Sequence, residues 1–358
     1  MDEKKKAPKL RFKGFTDDWK QRKIGELLLV NSGKDYKKLN KGNIPVYGTG
    51  GYMLSVDKAL SFYDAIGIGR KGTIDRPQYL RAPFWTVDTL FFMTSKKKND
   101  LKFLYALSQN INWKKYDEST GLPSLAKKTI SSILVKVPQD KEQKLIGRVI
   151  SQIDYVQNLQ QRKLEQLKSI KKAMLQKLFV NKDMPILHFK GFNNIWKRSK
   201  LGNITKTISS KPYISGAYEE GKYEVVQQGD HPIAGYSNDI PFKNYKDVTL
   251  FGDHTLSLFK PRKAFLIASD GIKILSPSVT MDSLFYYYLL EKYKPRSEGY
   301  KRHFSILKKG VALFPVSINE QTQIAHVLII IDKTISLQQE RIEKLRNYKQ
   351  FILQNMLI

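Results

Sequence analysis

QDKEQKLIGRVISQIDYVQNLQQRKLEQLKSIKKAMLQKLFVN, residues 139–181, is the stretch whose reading decides the fold. Alternating steps of three and four pass through Ile146, Val149, Ile153, Val156, Gln160, Lys163, Leu167, Ile170 and Met174. Seven of these nine are apolar, and Leu159 and Leu164 shadow the two that are not. Gly147, near the start, is the only Gly or Pro in the run. Such a stripe predicts a helix with one narrow apolar seam, which needs a second helix to cover it. At 1.5 Å per residue the run would be roughly 64 Å long. That is too long to fill the core of an ordinary domain, so it reads as a strut.

The strut has a copy. Residues 8–27, PKLRFKGFTDDWKQRKIGEL, return at 185–204 as PILHFKGFNNIWKRSKLGNI. Pro8, Phe12, Lys13, Gly14, Phe15, Trp19, Lys20 and Gly25 all recur at an offset of 177. The helix itself returns from Ser317 to Ile358 at an offset of 178: Glu142-Gln143 becomes Glu320-Gln321, Ile153-Asp154 becomes Ile331-Asp332, and Gln160 becomes Gln338. Its seam reads Ile324, Val327, Ile331, Thr334, Gln338, Arg341, Leu345, Tyr348, Ile352, and its polar break falls at the equivalent place. A whole module is duplicated. Between the anchors the copies align weakly, with Gly51-Tyr52 against Gly235-Tyr236, Asp64 against Asp247, Thr73 against Thr255 and Asp88 against Asp270.

The expected fold class is α/β (α+β): two pseudo-twofold-related lobes separated by two long antiparallel coiled-coil helices. The expected divisions are 1–138 for the first lobe, 139–181 for the central helix, 182–315 for the second lobe and 316–358 for the distal helix. Candidate strands are Leu90–Met93, Leu134–Val137, Ala264–Ala268 and Val311–Phe314; candidate short helices are Leu101–Gln109 and Ser283–Lys292. Apolar residues outside the seams (Leu145, Leu175, Phe179, Leu328, Ile329, Leu353, Leu357) suggest that the helices dock further partners.

At 358 residues the chain can bury two sizeable cores, and 41% hydrophobic with 11% aromatic residues argues for folded material. There is no cysteine, hence no disulfide framework and no thiolate metal site. The N-terminus, MDEKKKAPKL, lacks the apolar core of a signal peptide, and the apolar runs fall far short of a membrane span, so a cytoplasmic protein is expected. Lys and Arg number 62 against 33 Asp and Glu, a net charge of +29. Such an excess calls for an extended polyanion, and nucleic acid fits because each neutralised phosphate releases counterions. The cations are spread along the chain and not gathered on one amphipathic helix, which argues against a membrane surface.

A search for chemistry comes back empty. Gly67-Ile-Gly-Arg-Lys-Gly72 spells a dinucleotide fingerprint, but Thr73-Ile-Asp-Arg-Pro77 after it reads as turn, where the fingerprint requires a helix. No phosphate-cradling G-x-x-x-x-G-K-[ST] is present, and the five histidines have no metal-ligand spacing. Glu142-Gln-Lys144 has the letters of a nuclease acid-x-Lys, yet acids at a helix start suit the macrodipole better. No catalytic residue, metal or cofactor is expected. Binding remains. In the first lobe the candidates for contact with DNA are Lys34, Tyr36, Lys37, Gly48, Thr49, Tyr52, Arg70, Lys71, Thr73, Lys114 and Lys115. In the second they are Lys211, Tyr213, Gln227, Gln228, Tyr236, Asn238, His254, Thr255, Tyr300, Lys301, Arg302 and His303. Arg, Lys, Asn and Gln read base edges, while lysines and glycine turns suit phosphates.

Taken together, the duplicated FKGF-x3-W-K-x3-[IL]-G entries, the E-Q helix starts, and the exits LPSLAKKTISSILVKVP and HFSILKKGVALFPVSINEQ resemble the DNA-specificity subunit of Type I restriction–modification systems. The resemblance covers essentially the whole chain. It implies two target-recognition domains, each reading half of a bipartite, asymmetric site in double-stranded DNA. It also implies docking of two adenine-N6 methyltransferase subunits and two restriction subunits, and no catalysis by the chain itself. The alternative is a solitary two-lobed DNA-binding protein without enzyme partners.

Overall fold

The duplication extends to every sheet. In a computed structural model, which describes residues 7–96, 98–179, 189–192, 194–299 and 301–358, the chain forms two compact units. One runs through Arg162 and takes in Glu340–Ile358; the other is Lys163–Gln339. The first unit contains β1 (Lys20–Lys23), α1 (Ile24–Leu27), β2 (Leu28–Ser32), β3 (Lys41–Gly48), β4 (Gly51–Val56), β5 (Ala65–Gly69), β6 (Gln78–Leu80), β7 (Trp85–Thr86) and β8 (Leu90–Ser95). Next come α2 (Leu101–Gln109), α3 (Lys127–Ser132), β9 (Leu134–Val137) and the start of α4 (Asp140–Leu178). The second contains β10 (Lys197–Lys200), β11 (Thr205–Ile208), β12 (Tyr223–Val226), β13 (Ile233–Ser237), β14 (Thr249–Gly252), β15 (Leu258–Phe259), β16 (Phe265–Ile267) and β17 (Ile272–Pro277). It then adds α5 (Ser283–Tyr293), α6 (Phe304–Lys309), β18 (Val311–Phe314) and the start of α7 (Ile318–Met356).

The sheets correspond one for one. The orders β1-β9, β2-β8-β5-β6 and β4-β3-β7 return as β10-β18, β11-β17-β14-β15 and β13-β12-β16. The parallel pairing of β3 with β7 likewise returns as β12 with β16. Burial explains why these stretches are strands. Every residue of β5, AIGIG, and of β14, TLFG, is buried, as suits central strands covered on both faces. The four-stranded sheet of each lobe shares a core with the long helices (Ile66 and Met93 with Ile146; Phe251 and Leu275 with Ile324), and a second, smaller core joins it to the three-stranded sheet (Ala65, Leu90 and Phe92 with Val46 and Trp85; Leu250 and Ile274 with Val226 and Phe265).

The repeated Glu-Gln has a structural purpose. The Gln143 amide donates to Pro138 O (3.0 Å) and its oxygen accepts from the Asp100 N–H (3.1 Å). Gln321 does the same with Pro315 O (2.7 Å) and the Asp282 N–H (2.8 Å). Asp100 and Asp282 are themselves the N-caps of α2 and α5. One buried amide therefore ties the start of each long helix to the cap of the short helix beside it.

The helices run antiparallel in both units. In the first, Ile146, Ile150 and Ile153 of α4 share a core with Ile352 and Met356 of α7 and with Leu357 just after it. In the second, Met174, Leu175 and Leu178 of α4 meet Ile324, Ala325 and Leu328 of α7. The expected seam coincides with the covered stripe only in part, however. Val156, Ile170 and Tyr348 are 37%, 48% and 54% exposed, so they leave the seam. Ile146, Ile153, Ile324 and Ile352 are buried, and Val149, Leu167, Met174, Val327, Ile331 and Leu345 are half-buried. The covered stripe on α4 instead runs Ile146, Ile150, Ile153, Gln157, Gln160, Leu164, Leu167, Lys171, Met174, Leu178. It passes through a lysine, so a search for apolar periodicity slides partly into the neighbouring phase. Lys171 bonds Asp332 and Glu291, both at 2.8 Å. Its image at the 178-residue offset, Lys349, bonds Asp154 (2.7 Å) and Gln109 Oε1 (2.8 Å). Each node joins α4 to α7 at a fixed point, as suits a pair that sets helix register.

Candidate nucleic-acid interface

In the first lobe the loops that leave β2, β3, β5 and β7 are sewn into one strip. The Lys34 N–H donates to Thr86 O (2.9 Å), and the Trp85 indole returns a bond to Lys34 O (2.9 Å). A Cβ on Gly33 would stand 1.9 Å from Val87 O, so only glycine lets the β2 exit approach this closely. Val87 N–H reaches Tyr47 O (3.1 Å), and the Gln78 amide holds Gly48 O and Thr49 O at the β3–β4 turn. Arg70 N–H donates to Thr89 O (2.8 Å), while Leu125 N–H donates to Arg70 O (2.9 Å). Asp117 closes the Asp117–Ser124 loop by accepting from the Ser124 and Ser119 N–H groups and the Ser119 hydroxyl, which holds its carboxyl below the usual range.

The structure therefore brings Lys34, Thr49, Arg70, Lys71 and Thr73 to one edge of the lobe, whereas Lys37 lines a groove with Lys41, Gly42 and Val56, by the start of β3. Gly48 is buried and offers only its backbone; Tyr36 is half-buried against the smaller core; Tyr52 is exposed on β4 beside Ser55. Lys114 joins the strip through Asp75 (3.0 Å), whose carboxyl it depresses by that hydrogen bond. Lys115 lies elsewhere, lining a separate cleft with Lys9, Asn110 and Lys136. The sequence GIGRKG carries no nucleotide-binding helix: β5 ends at Gly69 and a turn follows, with Gly72 at φ +87°. Glu142 is buried and held by the Arg11 guanidinium (2.8 and 2.7 Å), which is a structural pair.

The second lobe keeps the frame and changes its occupants. Ladder register fixes the equivalences, since Gly69 pairs with Leu90 on β8 as Gly252 pairs with Ile272 on β17. The counterpart of Arg70 is thus Asp253, one residue on from the alignment suggested by the letters; its N–H bonds Gly271 O (2.8 Å) as that of Arg70 bonds Thr89 O. The counterpart of the Gly48–Gly51 turn is Gln227–Pro232, not Gly235–Asn238. Tyr236 lies within β13, paired with Glu224, and Asn238 accepts from the Lys222 N–H at the opposite end of the sheet. Gln227 and Gln228 sit at the right edge but act on their own loops. Gln227 donates to His231 O, and the Gln228 oxygen accepts from the His254 N–H. Thr255 is exposed and shares a hydrogen bond with Ser257.

His303 is wholly buried, which removes it from any contact surface. Its Nδ1 lies 3.1 Å from Asp253 O, and its Nε2 accepts from the Glu298 N–H (3.2 Å), so the ring pins the loop it was expected to serve. Lys211, Lys301 and Arg302 are exposed, and Tyr213 packs edge-on against Phe242 just as Tyr36 lies on the matching core. Tyr300 lies outside the described residues. Sequence reading missed Lys273, which approaches Asp253 at 4.0 Å, because a lone lysine inside a strand carries no motif.

The outward faces of the helices also differ from expectation. Phe179, Leu328 and Leu357 are buried, and Leu175, Ile329 and Leu353 pack against the same cores, so they do not mark a docking face. Among the described residues the exposed large apolar side chains of these helices are Tyr155, Val156, Leu159, Tyr348 and Phe351 in one unit and Ile170, Ile318, Ile330 and Leu337 in the other. Among the described residues no group of His, Asp and Glu is placed to hold a metal, and no helix is long and apolar enough to cross a membrane.

A family model described as the Type I restriction modification DNA specificity domain matches residues 16–169 and again 193–347. The Type I restriction enzyme MjaVIII specificity subunit of Methanocaldococcus jannaschii is 26% identical over 313 residues, covering 74% of this chain and 70% of that protein. The putative MjaX specificity subunit of the same organism is 24% identical over 266 residues, covering 66% of this chain and 60% of its own length. Among solved structures, the S subunit of a Type-I restriction-modification system from M. genitalium matches with a TM-score of 0.74 at 15% identity, covering 98% of this chain and 99% of that one. A chain from a structure of type I R-M complex assembly and conformational transition matches at 0.50, also at 15% identity, over 94% and 96%. At that identity the structural likeness speaks for the fold.

Proposed function

The chain belongs to the Type I restriction–modification DNA specificity family, and on that premise we propose that it reads a bipartite, asymmetric double-stranded DNA site. In this reading it contributes no catalysis. It carries two adenine-N6 methyltransferase subunits and two restriction subunits to the site, in the cytoplasm. Each lobe is the target-recognition domain for one half-site.

The observation that carries the proposal is the pair of matched loop edges: one topology, used twice, with different side chains at equivalent positions. Two copies of a reader that share a frame and carry different side chains along its loop edge are suited to two different half-sites. The net charge of +29 supplies the sequence-independent attraction to phosphates that such a reader needs. The α4 and α7 helices, 39 residues each, fit the role of spacer, about 58 Å of helix apiece. The exposed Tyr155, Val156, Leu159, Tyr348 and Phe351 offer a methyltransferase subunit an apolar surface on the helices. The test is selection from a random duplex library by the chain purified with a Type I methyltransferase subunit. Two conserved blocks at a fixed gap are expected; a single block, or no enrichment, would count against a bipartite reader.

A further inference from the structure

Residue 70 and its counterpart, residue 253, occupy the same place in the two lobes, where the central strand of the four-stranded sheet leaves it, yet their chemistry is opposite. On the neighbouring strand the matched positions are Phe91, which pairs with Ile68, and Lys273, which pairs with Phe251. In the first lobe the Arg70 guanidinium is exposed and lies over the Phe91 ring, 5.9 Å from its centre. In the second lobe Asp253 is 4% exposed, caps α6 by accepting from the Phe304 N–H (2.7 Å), and faces Lys273 at 4.0 Å.

We infer that Arg70 is a specificity-determining residue of the first lobe, reading a guanine in its half-site, and that the second lobe has no reader at the equivalent position. The inference rests on the proposed function above. The Arg70 backbone is clamped on both sides by Thr89 O and the Leu125 N–H, and its planar head is ordered against an aromatic face. It lines a cleft of about 380 Å³ with Ser32, Lys71, Phe91, Glu118, Ser124 and Lys127 among others. Among the described residues no carboxylate lies within ion-pairing distance of it. A pre-ordered, uncommitted fork suits the two acceptors, O6 and N7, that guanine presents in the major groove. Lys71, beside it, is a point charge on a flexible stem and suits a phosphate. Asp253 is fully engaged inside its own lobe, so the second half-site must be read by other side chains.

The test uses the whole chain with its methyltransferase subunit and maps adenine methylation on genomic DNA for wild type, Arg70→Lys and Arg70→Ala. Lysine keeps the charge but loses the fork. Arg70→Lys is therefore expected to relax one guanine in one half of the motif, with discrimination there falling on the order of 10- to 100-fold, and to leave the other half intact. Arg70→Ala should relax the same guanine and also lower overall occupancy. An unchanged motif with Arg70→Lys overturns the inference, because a point charge would then suffice. Loss of both halves together also overturns it, since Arg70 would then be holding the fold. If wild type itself directs no split-motif methylation, the parent reading fails instead, and that outcome is visible before any variant is compared.

Discussion

Replacing Lys171 by Met removes an ammonium that sits between two carboxylates in the second unit. Asp332 and Glu291 each lie 2.8 Å from it, with side chains 26% and 20% exposed, and Lys171 itself is 17% exposed. Charge-assisted hydrogen bonds contribute about 1.5–3 kcal/mol when buried, and exposed ion pairs only about 0.2–1 kcal/mol. This node lies between those limits, and the variant also leaves two carboxylates with their common cation gone. A net loss of about 2–3 kcal/mol follows, partly relieved because the Tyr288 hydroxyl still donates to Asp332 (2.8 Å). Because the chain has two units, a single unfolding midpoint would blur the effect. Hydrogen exchange followed by mass spectrometry resolves it, read on peptides from residues 163–178 and 318–335. Exchange there should quicken about 30- to 150-fold in proportion to the lost free energy. Lys349→Met, whose partners are one carboxylate and one amide, should cost less, about 1–2 kcal/mol by the same reasoning. Protection within twofold of wild type in Lys171→Met would refute the claim that these lysines set the helix register.

Several other outcomes can be measured on the same protein. Burial lowers the Lys171 pKa, but Glu291 and Asp332 outweigh it and hold the ammonium above the ordinary lysine range. The stability so gained is complete below the unfolded value and is lost as pH rises through the folded one. The advantage of wild type over Lys171→Met should thus stay constant from pH 7 to pH 10 and shrink above about pH 10.5. Lys71→Ala should weaken DNA binding uniformly across sequences and reduce the salt dependence by about one counterion, read from titrations at several salt concentrations. His303→Ala should lower the thermal stability of the second lobe, by about 2–4 kcal/mol for a buried ring with two hydrogen bonds. Adding one turn, about 5.4 Å, to both α4 and α7 should widen the gap of the recognised site by one or two base pairs and leave its halves unchanged.

How much of this was legible in the residues depended on the kind of signal. The duplication showed because the FKGF-x3-W entries and the Glu-Gln pairs are held by local, repeated geometry: a glycine turn at positive φ and one amide clamping two helix starts. Helix pairing was visible as a 3,4 pattern, but its phase only in part. The covered stripe passes through Lys171 and Lys349, and hydrophobicity alone cannot tell a desolvated, paired lysine from a solvated one. Strand order stayed hidden, since β2 lies beside β8 and β3 beside β7 through contacts distant in sequence. Among the candidate contacts, Arg70, Lys71 and Lys34 came to one edge because glycine turns bring them there. His303, Gln227 and Gln228 have the right chemistry to read bases, and the fold uses them to hold its own loops. Residue type does not reveal whether a polar side chain faces outward.

The central claim, that this chain aims methyltransferases at a split site, meets its most direct test in a methylation map. Genomic adenine methylation would be compared in cells that make a Type I methyltransferase subunit with this chain and in cells that make it without. A motif of two unlike blocks at a fixed gap, modified on both strands and absent when the chain is absent, is the predicted result. Methylation that is scattered, confined to one uninterrupted block, or indifferent to the chain would contradict the account.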